Sequence, residues 1–283
     1  MKYLENAFRF TFKNFLISLP LLISMVIPAI VMSIGSVSLF TNMSNMESVI
    51  QDFINGNSSI PDLILGMYGR TFIISMLVGG LISIFISIIV YPATYGMINK
   101  KYETGKATLG DFTQCMSKYI GRYVQFILLN FAIGIGVYLV LVILIGIAAV
   151  IISLVNAVVG ILLMVLFILA FCVGSFALMI YMSLWFPAVC IENTGIIQGL
   201  KNSFKQVKGS FWPILGITLL ISLCAGVGGG ILSLFPIVGT VMSSIVSTLA
   251  GYITIVYYFE IYRAKTGRFA TPENMEQLDG GVQ

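Results

Sequence analysis

Six apolar runs dominate this chain, and its basic residues fall in alternate gaps between them. The runs read as 15–40, 71–98, 123–152, 157–184, 211–234 and 237–260. A helix crossing the hydrocarbon core of a bilayer needs about 20 such residues. The runs 123–152 and 157–184 are nearly continuous, and the split falls at Ser153-Leu154-Val155-Asn156 because sixty apolar residues have no bilayer to fit. Pro236 and Gly239 mark a tight turn between the last two runs. Only 9% of the residues are charged and 58% are hydrophobic, whereas a soluble domain carries roughly 25% charged residues. The bilayer must therefore solvate most of these side chains. The run from Phe15 to about Phe40 is too long for the signal-peptide core of roughly 7–15 residues, so it is expected to be a span that stays in place.

The basic residues set the expected orientation. Lys2, Arg9 and Lys13 precede the first run. Lys100, Lys101, Lys106, Lys118 and Arg122 lie between the second and third, and Lys201, Lys205 and Lys208 between the fourth and fifth. Arg263, Lys265 and Arg268 follow the sixth, and Arg70 alone occupies the other side. A Lys or Arg at a span's centre costs about 2.5–3.5 kcal/mol on insertion scales, and loops rich in these residues are retained in the cytoplasm. The expectation is six spans with both termini cytoplasmic. On the other face, residues 46–54 have the pattern of a short amphipathic helix within the 41–70 loop.

A unit of interfacial helix plus two spans recurs three times. Leu4-Glu5-Asn6-Ala7-Phe8-Arg9 resembles Leu200-Lys201-Asn202-Ser203-Phe204-Lys205, and each leads into a span at a Phe, Phe15 or Phe211. Phe112, Met116, Tyr119 and Tyr123 keep that spacing before the third span. Apolar residues at i, i+4, i+7 and i+11 share one helical face. Opposite them lie Arg9 and Lys13, then Lys118 and Arg122, then Lys201, Lys205 and Lys208. Each stretch reads as an amphipathic helix in the cytoplasmic interface, apolar side into lipid and basic side toward headgroups. The even spans share Tyr91-Pro92-Ala93 and Phe186-Pro187-Ala188. The fold class is all-α: a single six-span membrane domain over 1–270, built as a threefold helix-hairpin repeat, with a polar tail at 271–283.

Small residues recur every fourth position as Ser75, Gly79, Ser83 and Ser87 in the second span, and as Gly239, Ser243, Ser247 and Gly251 in the sixth. Such stripes let helix backbones approach closely in lipid. Gly226, Gly228, Gly229 and Gly230 suggest a bend or a close contact in the fifth.

Chemistry has few places to sit. An ionisable group deep in a span would mark a functional site, but the amides Asn130 and Asn156 are the notable polar groups there. Glu192 and Glu260 lie at the cytoplasmic ends of the fourth and sixth spans, within expected reach of Lys201 or Arg263 or of a cation. The chain contains no histidine, which removes His-based catalysis and His metal ligands together. Cys115, Cys172, Cys190 and Cys224 form no C-x-x-C pair. No nucleophile-elbow or P-loop motif is present. The expectation is a protein without enzyme activity, cofactor or nucleic-acid partner, acting as a scaffold or accessory subunit in envelope or lipid-related processes. Its expected partners are anionic membrane lipid and a membrane or cytoplasmic protein. The alternative is a transporter or exporter component for a hydrophobic or peptide substrate, suggested by the repeats and small-residue stripes.

The stretch from Trp185 to about Ile221 resembles a known bacterial membrane family. Phe186-Pro187-Ala188-Val189-Cys190-Ile191-Glu192, Gly199-Leu200-Lys201-Asn202-Ser203-Phe204-Lys205 and Phe211-Trp212 are similar to the P-x-x-x-x-E … A-L-x-x-S-x … W pattern of a six-span domain. That domain is fused to some glycerophosphodiester phosphodiesterases. The resemblance implies a six-span fold in the bacterial cytoplasmic membrane. The phosphodiesterase domain itself is absent, so it implies no catalytic residue.

Overall fold

A computed structural model describes residues 2–42, 46–57, 59–154, 157–235 and 238–268. Every regular element among them is helical. In chain order these are α1 (Lys2–Lys13), α2 (Phe15–Asn42), α3 (Met46–Ile54), α4 (Ile60–Tyr68) and α5 (Arg70–Thr104). A 3-10 turn at Leu109–Asp111 precedes α6 (Phe112–Leu154), α7 (Ala157–Met182), α8 (Trp185–Glu192), α9 (Ile196–Val207), α10 (Phe211–Ser233) and α11 (Val238–Thr266). Six helical stretches are long and apolar enough to cross a membrane: 15–38, 70–104, 109–153, 158–192, 211–233 and 238–266. The chain is a multi-pass membrane protein. The expected turns at Val155-Asn156 and Pro236, and the tail at 271–283, lie outside the described residues.

The chain divides into two compact units. Of the described residues, the first holds those within 1–118 and 217–260, and the second those within 119–216 and 261–268.

In the first unit α2 and α5 pack along their small-residue faces. A Cβ on Gly79 would lie 2.7 Å from Met32 Cγ and 3.3 Å from the Pro28 carbonyl. One on Gly35 would collide with Ser75 Oγ and come within 3.1 Å of the Phe72 Cα. Bare backbone at both positions is what lets the two helices meet. Helix α1 buries Ala7, Phe10 and Thr11, and the Phe10 ring stacks on Tyr102 at 4.7 Å. The neighbouring Phe8 and Phe12, at 38% and 66% exposure, face outward. Helix α3 forms where its pattern predicted. Helix α4 is an addition: Ser59 caps it, with Asp62 closing a capping box and a Pro in the first turn. The signal Ser-Ile-Pro-Asp is legible in the sequence, though a long polar loop hid it.

In the second unit Trp185 and Phe186 form the centre. Phe126 meets the Trp185 ring edge-on at 4.9 Å, and Tyr123 meets Phe186 at 5.0 Å. Two expectations about the repeat need correction here. The segment 112–123 is not a separate interfacial helix, because α6 runs unbroken for 43 residues. Asn14 turns the chain after α1, its side chain donating to the Phe10 carbonyl at 2.9 Å, and the turn Lys208-Gly209-Ser210 does so after α9. At 120–123 there is only Gly121, and one glycine costs a helix about 1 kcal/mol without ending it. The even spans also do not end alike. Helix α5 continues through Pro92, whereas the fourth span breaks at Ser183-Leu184, before Pro187. Proline cannot donate to the carbonyl four residues back and its ring crowds that carbonyl; here that residue is Ser183.

Candidate functional sites at the helix ends

Two carboxylates anchor matching clusters, one in each unit. In the first, Glu260 on α11 accepts from Tyr102 Oη at 2.6 Å and from Asn6 Nδ2 at 3.5 Å. In the second, Glu192 at the end of α8 accepts from Tyr262 Oη and from Asn202 Nδ2. Asn6 and Asn202 occupy the same position in the Leu-x-Asn repeat of α1 and α9, so the repeat extends to the chemistry of its contacts. Each cluster ties an amphipathic helix to a span through one carboxylate. Lys201 is one of the partners the sequence leaves open for Glu192. Lys201 lies on the exposed face of α9, and neutral hydroxyl and amide donors hold the carboxylate instead.

Helix α9 is seated by its small face. Ile196, Gly199, Ser203 and Val207 are buried, at positions that fall on one side of the helix. Ser203 Oγ donates to the Tyr181 carbonyl at 2.6 Å, and Trp185 Nε1 donates to the Ile196 carbonyl at 2.8 Å. A Cβ on Gly199 would strike Val189 Cγ2 and sit 3.3 Å from the Trp185 carbonyl. The face predicted to enter lipid, Leu200 and Phe204, therefore flanks the buried face rather than forming it. Ile197 and Phe204 are 65% and 38% exposed, and Lys201, Lys205 and Lys208 are exposed beside them.

The turn after α8 collects donors. Arg268 donates to the Ile191 carbonyl at 2.6 Å, and Tyr119 Oη to the Cys190 carbonyl at 3.5 Å. Both satisfy carbonyls that the helix end leaves open, and a cation there also suits the helix dipole. Asn193 follows with φ 53°, a left-handed cap that Asn tolerates better than most side chains. Its Oδ1 accepts from Arg122 at 2.6 Å. Arg122, foreseen as facing lipid or a partner, is thus also a link within the unit. Arg9, Lys13 and Lys118 are exposed, each with contacts inside the protein.

The small-residue stripes divide by position. Ser75 and Gly79 are buried in the α2–α5 contact, while Ser83 and Ser87 are half-buried. Gly239 sits at the turn into α11, where a Cβ would meet the Leu232 carbonyl. Gly229 of α10 lies against Ser243, whose Oγ would be 2.8 Å from an added Cβ. Gly251 faces open space. Ser83, Ser243 and Ser247, with Thr240, Met25 and Met32, line a cavity of about 240 Å³ in the first unit. Among the described residues no group of three His, Cys, Asp or Glu side chains is placed to hold a metal ion.

The donors to the carboxylates, Tyr102, Tyr262, Asn6 and Asn202, were not singled out from the sequence. The two asparagines were legible in the repeat. The two tyrosines were not, because nothing in a local pattern says which distant helix end a hydroxyl will meet.

No curated protein and no solved structure matches this chain. A family described only as a domain of unknown function, DUF7847, matches residues 29–265, from within α2 almost to the end of α11. That stretch contains Glu192, Asn202, Tyr262, Tyr102 and Glu260, and the chain belongs to this family.

Proposed function

We propose that the protein is a non-catalytic scaffold or accessory subunit of the bacterial cytoplasmic membrane, with both termini on the cytoplasmic side, acting in envelope or lipid-related processes. The observation carrying this reading is the seating of α9. Its small face is locked to the unit, and its other side leaves Lys201, Lys205 and Lys208 exposed beside Ile197 and Phe204. A helix with a basic edge and an apolar edge, fixed at its back, suits the boundary between anionic headgroups and acyl chains. The clustering of fourteen of fifteen basic residues in alternate gaps supports the orientation. The likeness of 185–221 to the six-span domain fused to some glycerophosphodiester phosphodiesterases supports a lipid-related setting, and belongs to this proposal.

The test is to extract the intact protein into lipid nanodiscs and weigh the retained lipids by mass spectrometry. The expected result is enrichment of anionic phospholipid over the bulk membrane, reduced by Lys201→Gln with Lys205→Gln, and no turnover of added glycerophosphodiester. Turnover abolished by Glu192→Gln would make the protein an enzyme and overturn the proposal.

A transporter component is the second reading, favoured by the cavity in the first unit. Its hydroxyl and thioether lining, with no ionisable group, fits an uncharged or amphiphilic substrate. Uptake of such a substrate into proteoliposomes, blocked by filling the cavity with Ser243→Leu, would favour it over the scaffold.

A further inference from the structure

The charge of this protein is not shared between its two units. The second unit carries seven Lys and Arg residues: Arg122, Lys201, Lys205, Lys208, Arg263, Lys265 and Arg268. Against them stands one carboxylate, Glu192. Its net charge is +6. The single carboxylate is engaged by Tyr262 and Asn202. Retention of basic loops in the cytoplasm accounts for the sign of these charges, but not for the scarcity of carboxylates beside them.

The cations converge on the turn between α9 and α10. Lys265 Nζ reaches the Gly209 carbonyl at 3.5 Å, which brings the end of α11 beside Lys208 and the Gly209-Ser210 turn. Lys205 is one helical turn earlier, and all three lysines are exposed. Immediately after the turn stands Trp212, 76% exposed, at the first turn of a span. An indole there sits at headgroup level, its ring in the apolar boundary. Exposed lysines at this turn and an exposed indole at the start of the next span form a surface with two halves. One half suits concentrated negative charge and the other suits hydrocarbon. Because that indole already stands in the bilayer boundary, the occupant that meets both halves at once is a lipid.

We infer that the α9–α10 turn of the second unit, with Lys205, Lys208, Lys265 and Trp212, binds the headgroup of a phospholipid whose phosphate is a monoester with more than one negative charge. This rests on the anionic-lipid reading above and narrows it to one site and one headgroup chemistry. Lysine is a compact point charge with three donors, and several around one phosphate favour the dianion over the monoanion of a diester headgroup. A lysine at an anionic leaflet contributes about fivefold in affinity.

Trp212 is its own reporter, because the only other tryptophan, Trp185, is completely buried. The intact protein is reconstituted in vesicles of phosphatidylcholine bearing a nitroxide quencher on the headgroup. Plain phosphatidic acid or plain phosphatidylglycerol is then added at equal surface charge. The expected result is recovery of Trp212 fluorescence with phosphatidic acid at several-fold lower charge density than with phosphatidylglycerol. That preference should fall at least fivefold in Lys208→Gln with Lys265→Gln, and persist in Lys106→Gln, an exposed lysine of the first unit. Equal recovery by both lipids, or equal loss in both variants, would overturn this site while leaving general anionic-lipid binding intact. No recovery with either lipid would overturn both. Loss of the recovery on adding millimolar glycerol 3-phosphate would assign the site to a soluble phosphate ester and overturn the lipid proposal.

Discussion

Glu192 shows what one side chain does at the end of a span. Tyr262 and Asn202 both donate to it, and a hydrogen bond to a charged group contributes about 1.5–3 kcal/mol. Removing one donor should leave the carboxylate half-satisfied, so Tyr262→Phe is expected to lower the melting temperature in detergent by several degrees. Glu192→Gln should do the same, because a carboxamide would turn its own N–H toward one of the two donors. Unchanged melting in both variants would mean that water replaces the donors at no cost. A second residue-scale case lies in the 41–70 loop. The Ser59 hydroxyl and amide hold the Asp62 carboxyl below its ordinary value. A carboxyl with a depressed folded value stabilises its helix fully above the unfolded value, near pH 3.8, and loses that contribution as pH falls through the lower folded value. Hydrogen exchange at the amides of α4, corrected for intrinsic rate, should therefore quicken as the pH drops below about 4. Asp62→Asn should remove that pH dependence, and a persisting dependence would place its origin elsewhere.

At the scale of elements, the α2–α5 contact separates two meanings of a small residue. Gly79 meets Met32 and the Pro28 carbonyl, so Gly79→Leu must push the helices apart. Overpacking of this kind costs about 1–3 kcal/mol. Ser83, four residues on in the same stripe, lines the cavity, and Ser83→Leu has space to enter. The expected order of thermal stability in detergent is Ser83→Leu above Gly79→Leu, with Ile84→Leu, at a residue 56% exposed, nearest to the parent. If Ser83→Leu is as damaging as Gly79→Leu, the cavity is not open to side chains. The stripe was legible in the sequence because small residues at fourfold spacing have one geometric use. Which half of it meets another helix was not, since that depends on how α2, on a different stretch of chain, is placed against α5.

At the scale of the whole molecule, orientation is the testable quantity. Lys106 and Asn57 are exposed and lie at opposite ends of α5 in sequence. Lys106→Cys should react with a membrane-impermeant thiol reagent in inverted vesicles and not in intact cells, and Asn57→Cys the reverse. The native Cys115 is a poor reporter because it is buried, so these variants belong in a background with the native cysteines replaced. Labelling of Asn57→Cys from the cytoplasmic side would invert the topology and with it the assignment of every basic turn to the inner leaflet.

The run lengths and the near absence of charge within them determined six crossing helices from the sequence alone, because burying apolar surface and placing lysines at interfaces are decided locally. The short helices α1 and α9 were legible too, from helical spacing ended by Asn14 and by Gly209-Ser210. The third such helix was not, since the same spacing at Phe112–Tyr123 continues into α6 where no turn residue intervenes. Only the tertiary structure decided that Tyr102 and Asn6 meet Glu260, that Tyr262 and Asn202 meet Glu192, and that Lys265 comes beside the Gly209 turn. These pairs lie between 10 and 254 residues apart. Hydrophobic periodicity marks where a helix forms, but in α1 and α9 it fixed neither the buried face nor the distant side chain that face would find.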